Sequence, residues 1–184
     1  MASSEPLGKF GMNKKLLQIS PWVSRFADQI PSAGAVLDLA CGGGRHSYFF
    51  LDRGHPVTAI DRDISALQPA DNLEIIQHDL EDGGAASEWP LGQRQFAAVV
   101  VGNYLHRPLL PQLVAAVGQG GVLLYDTFAI GNEAFGRPSN PDFLLREDEL
   151  RDAVAGELEV VEYFHGRLDE PSPAVRQRIC ARRN

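Results

Sequence analysis

Lysine is almost missing from this chain of 184 residues: Lys9, Lys14 and Lys15 are the only three, and 14 of the 17 Lys and Arg side chains are arginine. No lysine stands beyond position 15 to complete a Tyr-x-x-x-Lys pair of the kind that serves NAD-dependent oxidoreductases. Cysteine is nearly as scarce. Cys41 and Cys180 have neither the spacing of a metal site nor the number of a disulfide framework, which points to a reducing compartment, and a cytoplasmic location is expected. No apolar run approaches the roughly 20 residues that cross a bilayer. The opening MASSEPLGKFGMNKKL also lacks the apolar core of a signal peptide, so no membrane is expected as a partner. Basic blocks are absent apart from a short tail, Arg176, Arg178, Arg182 and Arg183, on a chain of net charge −7. A phosphate backbone would meet repulsion over most of such a surface, so nucleic acid is disfavoured as a substrate. There is no internal repeat, low-complexity tract or linker. Residues 1–20 are expected as a flexible or partly ordered segment. Residues 21–184 are expected as one domain that buries roughly 70% of its unfolded surface and works as a monomer or homodimer.

What is present is concentrated between Ala35 and Asp63. Val36, Leu37 and Leu39 form a short apolar run suited to a strand buried on both faces. Gly42, Gly43 and Gly44 then remove every Cβ where the chain must turn, so that backbone can touch a ligand. Arg45 to Arg53 reads as a helix closed by Gly54, with its free N-terminal amides facing whatever lies over the turn. Pro56 to Ile60 makes a second strand. Asp61 stands at its carboxyl end, 19 residues after Gly42, close to where a dinucleotide fingerprint puts the acid that accepts hydrogen bonds from ribose hydroxyls. Ser47 occupies the place of the fingerprint's third glycine.

The wider pattern narrows this. Asp38-Leu39-Ala40-Cys41-Gly42-Gly43-Gly44 resembles the D-x-A-C-G-x-G signature of class I S-adenosylmethionine-dependent methyltransferases, and Asp61-Arg62 is similar to that family's second motif. After another strand, Leu73 to Gln77, His78-Asp79-Leu80 resembles the family segment whose acid meets the adenine amino group. The resemblance runs from about Pro21 to the C-terminus, and within the family the chain is similar to small bacterial methyltransferases of the tellurite-resistance type. It implies S-adenosylmethionine as cofactor, with Asp38, Ala40, Cys41, Gly42, Gly44, Asp61, Arg62, Asp79, Leu80 and Asn103 around it. Other roles stay open for some of these. Asp38, in an apolar strand, must find a ligand ammonium or a structural partner such as Arg45 or a backbone amide. The structural alternatives are a helix cap or a pair with Arg62 for Asp61 and the start of a turn for Asp79, while Cys41 reads as a packing residue beside the glycines and not as a nucleophile.

Alternating strands and helices imply a doubly wound α/β fold with a mostly parallel sheet of about seven strands. Trp22, Phe26 and Ile30 give a helix over Pro21 to Ile30 one apolar face, and this helix is expected to be a lid. Phe96 to Gly102 reads as a strand, Pro108 to Val117 as a helix, and Val122 to Asp126 as a strand introduced by Gly120-Gly121. Glu147 to Ala155 reads as a helix. Leu158 to Phe164 and Val175 to Ala181 look like the antiparallel hairpin that ends the class I methyltransferase sheet.

The fourth strand ends in Asn103-Tyr104-Leu105-His106-Arg107-Pro108, where α/β sheets collect their chemistry. The Asn-Pro-Pro-Tyr of amino-methylating family members is not there, so methylation of an exocyclic base amine or a glutamine amide is not supported. Tyr104 and His106 are candidate acceptor-side residues, His106 either as a base or bound to backbone. Thr127 to Arg146 is a long irregular stretch with aromatic anchors Phe128, Phe135 and Phe143. Such loops are seldom idle, and this one is expected to close over the acceptor pocket, with Arg137 offering a guanidinium to an anionic small-molecule acceptor. The alternatives are an NAD-dependent oxidoreductase and a non-catalytic S-adenosylmethionine-binding module.

Overall fold

The computed structural model describes residues 18–82 and 89–184. The expectation of a flexible N-terminal segment lies, through residue 17, outside the described residues. Among the described residues, seven strands form one sheet: β1 (Val36–Leu39), β2 (Val57–Asp61), β3 (Leu73–Gln77), β4 (Phe96–Gly102), β5 (Val117–Phe128), β6 (Glu159–Leu168) and β7 (Ala174–Arg182), in the spatial order β3-β2-β1-β4-β5-β7-β6. The first five are mutually parallel, and β7 pairs antiparallel with both β5 and β6. The expected terminal hairpin is therefore present.

Side chains alternate across the sheet, and this period of two builds both cores. Leu37, Leu39, Val99, Val101, Leu123, Tyr125 and Ile179 face α3 (Leu110–Ala115) and α4 (Glu149–Val154), where Leu113, Val114, Leu150 and Val154 close over them. Val36, Val57, Ala98, Val100, Leu124 and Cys180 face α1 (Pro21–Phe26) and α2 (Arg45–Asp52), meeting Trp22, Val23, Phe26 and Phe50. Burial on both faces explains why β1 and β4 read as nearly unbroken apolar runs.

Four expectations are corrected. The helix after Ser20 ends at Phe26 and continues as a single 3-10 turn, Ala27–Gln29; it is a fixed layer and not a lid. Trp22, Val23 and Phe26 are buried and the Trp22 indole donates to the Ile179 carbonyl at 3.1 Å. The helix expected over Pro108 to Val117 is a 3-10 turn, Arg107–Leu109, followed by the shorter α3. Gly120-Gly121 lies inside β5, which begins at Val117. Gly120 adopts φ +70, and a Cβ on Gly121 would lie 2.8 Å from the carbonyls of Gly118 and Phe96, so the pair makes a strand irregularity rather than a lead-in. The alternation of strands and helices is also incomplete, since residues 62–72 join β2 to β3 without a helix.

The strand order reverses at β1, with β2 on one side and β4 on the other. The crevice outside the carboxyl ends of these strands is where open α/β sheets take their ligands.

Candidate active site

A cavity of about 400 Å³ occupies that crevice. Four strand ends build it. After β1 the chain turns through Ala40 at φ +51 and Gly42 at φ +53, and the Gly42 N–H donates to Asp61 Oδ2 at 2.8 Å. Asp61 Oδ1 accepts from the Asp63 N–H at 3.0 Å, so the carboxylate ties the glycine turn to the end of β2. Gly44, at φ +75, admits no side chain: a Cβ would stand 2.5 Å from Leu67 Cδ2 and 2.8 Å from Tyr48 Cε2. Past β3, the Asp79 carboxylate accepts from the Glu81 N–H at 3.0 Å and the cavity wall is made by His78, Asp79, Leu80 and Glu81. Past β4, Asn103 takes φ +56 and Tyr104 follows, its carbonyl held by the Tyr125 hydroxyl at 2.9 Å. Ala40 and Asn103 thus both bring left-handed backbone to the cavity rim, and such strain in a non-glycine residue concentrates at functional sites.

Of the residues singled out in the sequence, Ala40, Asp61, Arg62, Asp79, Leu80, Asn103 and Tyr104 line this cavity together. His78, Glu81 and Phe143 join them. The Tyr104 hydroxyl oxygen is buried and has no hydrogen-bond partner among the described residues. Burial, then the nearby carboxylates of Glu81, Asp79 and Asp61, push its pKa well above the ordinary value, so it stands as a protonated donor.

The other candidate residues lie elsewhere. Asp38 is 1% exposed and does not line the cavity; its Oδ2 accepts from the Ser47 hydroxyl at 2.6 Å, and its Oδ1 lies 3.9 Å from His46 Nδ1. Its partner is structural, and Ser47, which broke the dinucleotide fingerprint, is that partner. Burial raises the Asp38 pKa to about 6, against the lowering effect of the Ser47 bonds. Cys41 is buried with Tyr48, Ala59 and Leu67, and burial, with Asp38 second, pushes its thiol far above the usual range, so it packs and does not react. Gly42 and Gly44 shape the turn outside the cavity wall. His106 lines neither this cavity nor the one below; it stands just before the 3-10 turn Arg107–Leu109 without a side-chain capping bond, and its buried Nε2 has no hydrogen-bond partner among the described residues.

Arg137 is exposed and lines neither cavity. Its loop is fastened elsewhere: Asn132 donates to the Pro138 carbonyl at 3.0 Å and accepts from the Val175 N–H at 3.1 Å, which turns the 136–138 corner outward. The loop's contribution is Phe143 in the first cavity and Phe128 in the second.

A second cavity, about 170 Å³, lies on the other side of Asn103, which lines both. At its base is Asp126, 2% exposed at the carboxyl end of β5. Asp126 Oδ1 accepts from Arg176 Nε at 2.7 Å and Arg178 Nε at 3.0 Å, and Oδ2 accepts from the Ser20 hydroxyl at 2.6 Å. Burial would raise this carboxyl's pKa, but the two guanidiniums and the hydroxyl outweigh it and hold it below the usual range. Arg176 Nη2 also donates to Asn103 Oδ1 at 2.6 Å. Ser20 accepts from the N–H groups of Trp22 and Val23 as the cap of α1, and its own N–H donates to His46 Nε2 at 3.3 Å. Arg45 completes the wall. The one sequence signal for this cluster is Arg-x-Arg at 176 and 178, which puts both side chains on one face of a strand; it passed as a basic tail because Asp126 lies 50 residues away.

Comparison with known proteins bears on the family and the fold. A family model described as tellurite resistance protein TehB matches residues 18–166. The malonyl-[acyl-carrier protein] O-methyltransferase of Salmonella typhimurium is 32% identical over 135 residues, 66% of this chain and 53% of that protein. The chain thus spans about half the length of the curated relative it matches. Among solved structures, TehB from Haemophilus influenzae superposes with a TM-score of 0.68 at 21% identity, covering 93% of this chain and 64% of that one. The Burkholderia thailandensis 1,6-didemethyltoxoflavin-N1-methyltransferase, bound to 1,6-didemethyltoxoflavin and S-adenosylhomocysteine, gives 0.62 at 16% identity over 89% of this chain and 77% of its own. At these identities the two structures share the fold.

Proposed function

This chain belongs to the tellurite resistance protein TehB family, and from that membership and the geometry of the crevice we propose that it transfers a methyl group from S-adenosylmethionine to a small-molecule acceptor. The observation that carries the reading is the charge and polarity of the first cavity. Asp61, Asp79 and Glu81 face a single Arg62, beside a buried Tyr104 hydroxyl that has no partner among the described residues. Acceptors of hydrogen bonds and an excess of negative charge suit a cationic ligand rich in hydroxyl and amino donors. The pyrophosphate of NAD would meet repulsion there, which disfavours the oxidoreductase reading. The volume lies within the range usual for small-molecule and cofactor sites.

Asp61 would accept from ribose hydroxyls and Asp79 from the adenine amino group, with Leu80 and Phe143 as apolar walls and Tyr104 donating from the β4 side. S-adenosylmethionine supplies, when bound, a methyl group already activated by a sulfonium charge. What these residues contribute is orientation and exclusion of water, an effect worth on the order of 7–11 kcal/mol when the reacting atoms are aligned. A base is required only for an acceptor that carries its proton at neutral pH. Neither His106 nor Cys41 is placed to serve as one. Of the relatives named above, one is an O-methyltransferase and one an N-methyltransferase, so they do not select the acceptor atom.

The test is the formation of S-adenosylhomocysteine from S-adenosylmethionine in the presence of fractionated cell metabolites. Product above the no-protein rate is expected, and it should fall with Asp61→Ala. Loss of the charge-assisted bonds to ribose, roughly 1.5–3 kcal/mol each, weakens cofactor binding by at least about tenfold in this variant. Its melting temperature should fall modestly as well, because the Gly42 and Asp63 N–H groups lose their acceptor, so affinity is compared on protein shown to be folded. Tight binding with no turnover in any fraction would leave a binding module instead.

A further inference from the structure

We propose that the second cavity is an anion subsite that anchors the carboxylate of an organic acid, so that the acceptor of the methyl group is a carboxylic acid whose nucleophile reaches past Asn103 into the first cavity. This rests on the methyl-transfer reading above. Among the described residues, three guanidiniums, those of Arg45, Arg176 and Arg178, line the cavity, against the one buried carboxylate of Asp126 and the exposed one of Glu170. Both oxygens of Asp126 are already engaged, by the Nε groups of the two arginines and by Ser20. Arg178 gives Asp126 its Nε, whereas Arg176 gives it Nε and, to the carbonyl at 3.2 Å, the Nη2 that also holds Asn103, so Arg178 has the larger part of its fork left for a ligand. The side chains of Arg176 and Arg178 are only 13% and 14% exposed, on a chain of net charge −7. Desolvated cations in excess of their local carboxylates are costly unless an anion completes the set.

The guanidinium planes are also fixed before any ligand arrives. Arg176 stacks over Phe128 at 4.3 Å from the ring centroid, and Arg178 lies about 6 Å from the rings of Trp22 (6.0 Å) and Phe164 (5.9 Å). Arg45 is oriented from the opposite side by the Gln18 carbonyl at 3.3 Å. Fixed planar forks match a carboxylate. Beside Gln18 and Ser172, the wall has an apolar part made of Ile19, Pro21, Phe128, Leu168, Pro171 and Ala174, which runs from the ring under Arg176 to the turn between β6 and β7. A bare inorganic oxyanion would leave that surface unused, whereas a carbon skeleton covers it. Asn103, held by Arg176 on one side and lining the first cavity on the other, joins the two spaces.

The test is calorimetric titration of the full chain saturated with S-adenosylhomocysteine, using acetate, benzoate and 3-phenylpropanoate, each against its primary amide, and inorganic phosphate. The acids with a ring should bind at least tenfold more tightly than their amides and more tightly than phosphate or acetate. Arg45→Gln and Arg178→Gln should each weaken the acid by at least tenfold while the dissociation constant of S-adenosylhomocysteine stays within about twofold. Arg45 donates to the Gln18 carbonyl and takes no part in the hydrogen bonds to Asp126, so Arg45→Gln remains informative should Arg178→Gln fold poorly. Equal binding of acid and amide, tightest binding of phosphate, no binding of any acid, or indifference to both substitutions would overturn the proposal. Failure of S-adenosylhomocysteine itself to bind would instead overturn the methyl-transfer reading.

Discussion

Asp38 illustrates how a carboxylate in an apolar strand is made tolerable without a ligand. It is enclosed by the Ser47 hydroxyl and by His46, whose pKa burial and then Arg45 lower to about 3, so the imidazole is neutral and offers no charge. The native state therefore holds the Asp38 proton up to about pH 6, where the unfolded chain releases it near 3.8. A group with a raised native pKa contributes stability that is fully present below the unfolded value and lost as pH rises through the native one. Asp38→Asn keeps an acceptor for Ser47 and removes this titration. Thermal melts should show the wild type gaining on the Asn variant as pH is lowered from about 7.5 to about 4.5, and a gap constant across that range would contradict the assignment. The sequence showed that Asp38 needed a partner. It could not show which, because the serine that supplies it reads as a broken fingerprint until α2 is placed over β1.

At the scale of elements, the long connection between β5 and α4 is positioned by one arginine. Arg107 donates from Nε and Nη2 to Glu149 at 2.6 and 3.0 Å, and from Nη1 and Nη2 to the carbonyls of Asp142 and Leu144 at 2.8 Å each. Burial would raise the Glu149 pKa, but its bonds to Arg107 and the Arg146 N–H outweigh that and hold it low, so the pair is ionised at neutral pH. These bonds bracket Phe143 and hold it at the cavity wall. Arg107→Ala should cost about 2 kcal/mol or more in urea unfolding, since it strands a partly buried carboxylate, and should weaken S-adenosylhomocysteine several-fold. Arg107→Lys should not restore either, because one ammonium cannot span three acceptors. Unchanged stability and affinity would show that the loop is held by other means. Residue type alone marked this loop as functional, and Phe143 does reach the site. Arg137 lies outside both cavities because the direction of its corner is set by Asn132 and Pro138, contacts that no local pattern announces.

At the scale of the molecule, the parts legible in the sequence are those whose signals are local. The β1-turn-α2-β2 unit, the acids closing β2 and β3, and the final hairpin all follow from apolar period, glycine and strand-end polarity within short windows. The second cavity was not legible, because it is assembled from the cap of α1, the end of β5 and one face of β7, brought together by an antiparallel register that pairs Asp126 with Arg178. The two cavities also divide the charge of the molecule, acidic over β2 and β3 and arginine-rich over β5 and β7, with Asn103 between them. That division is the basis for assigning cofactor to one and acceptor to the other. The most direct measurement is calorimetric titration of the purified chain with S-adenosylmethionine, S-adenosylhomocysteine and NAD in parallel. Saturable, one-to-one binding of the first two with no heat from NAD is predicted, and saturable NAD binding with no heat from either adenosyl compound would contradict it.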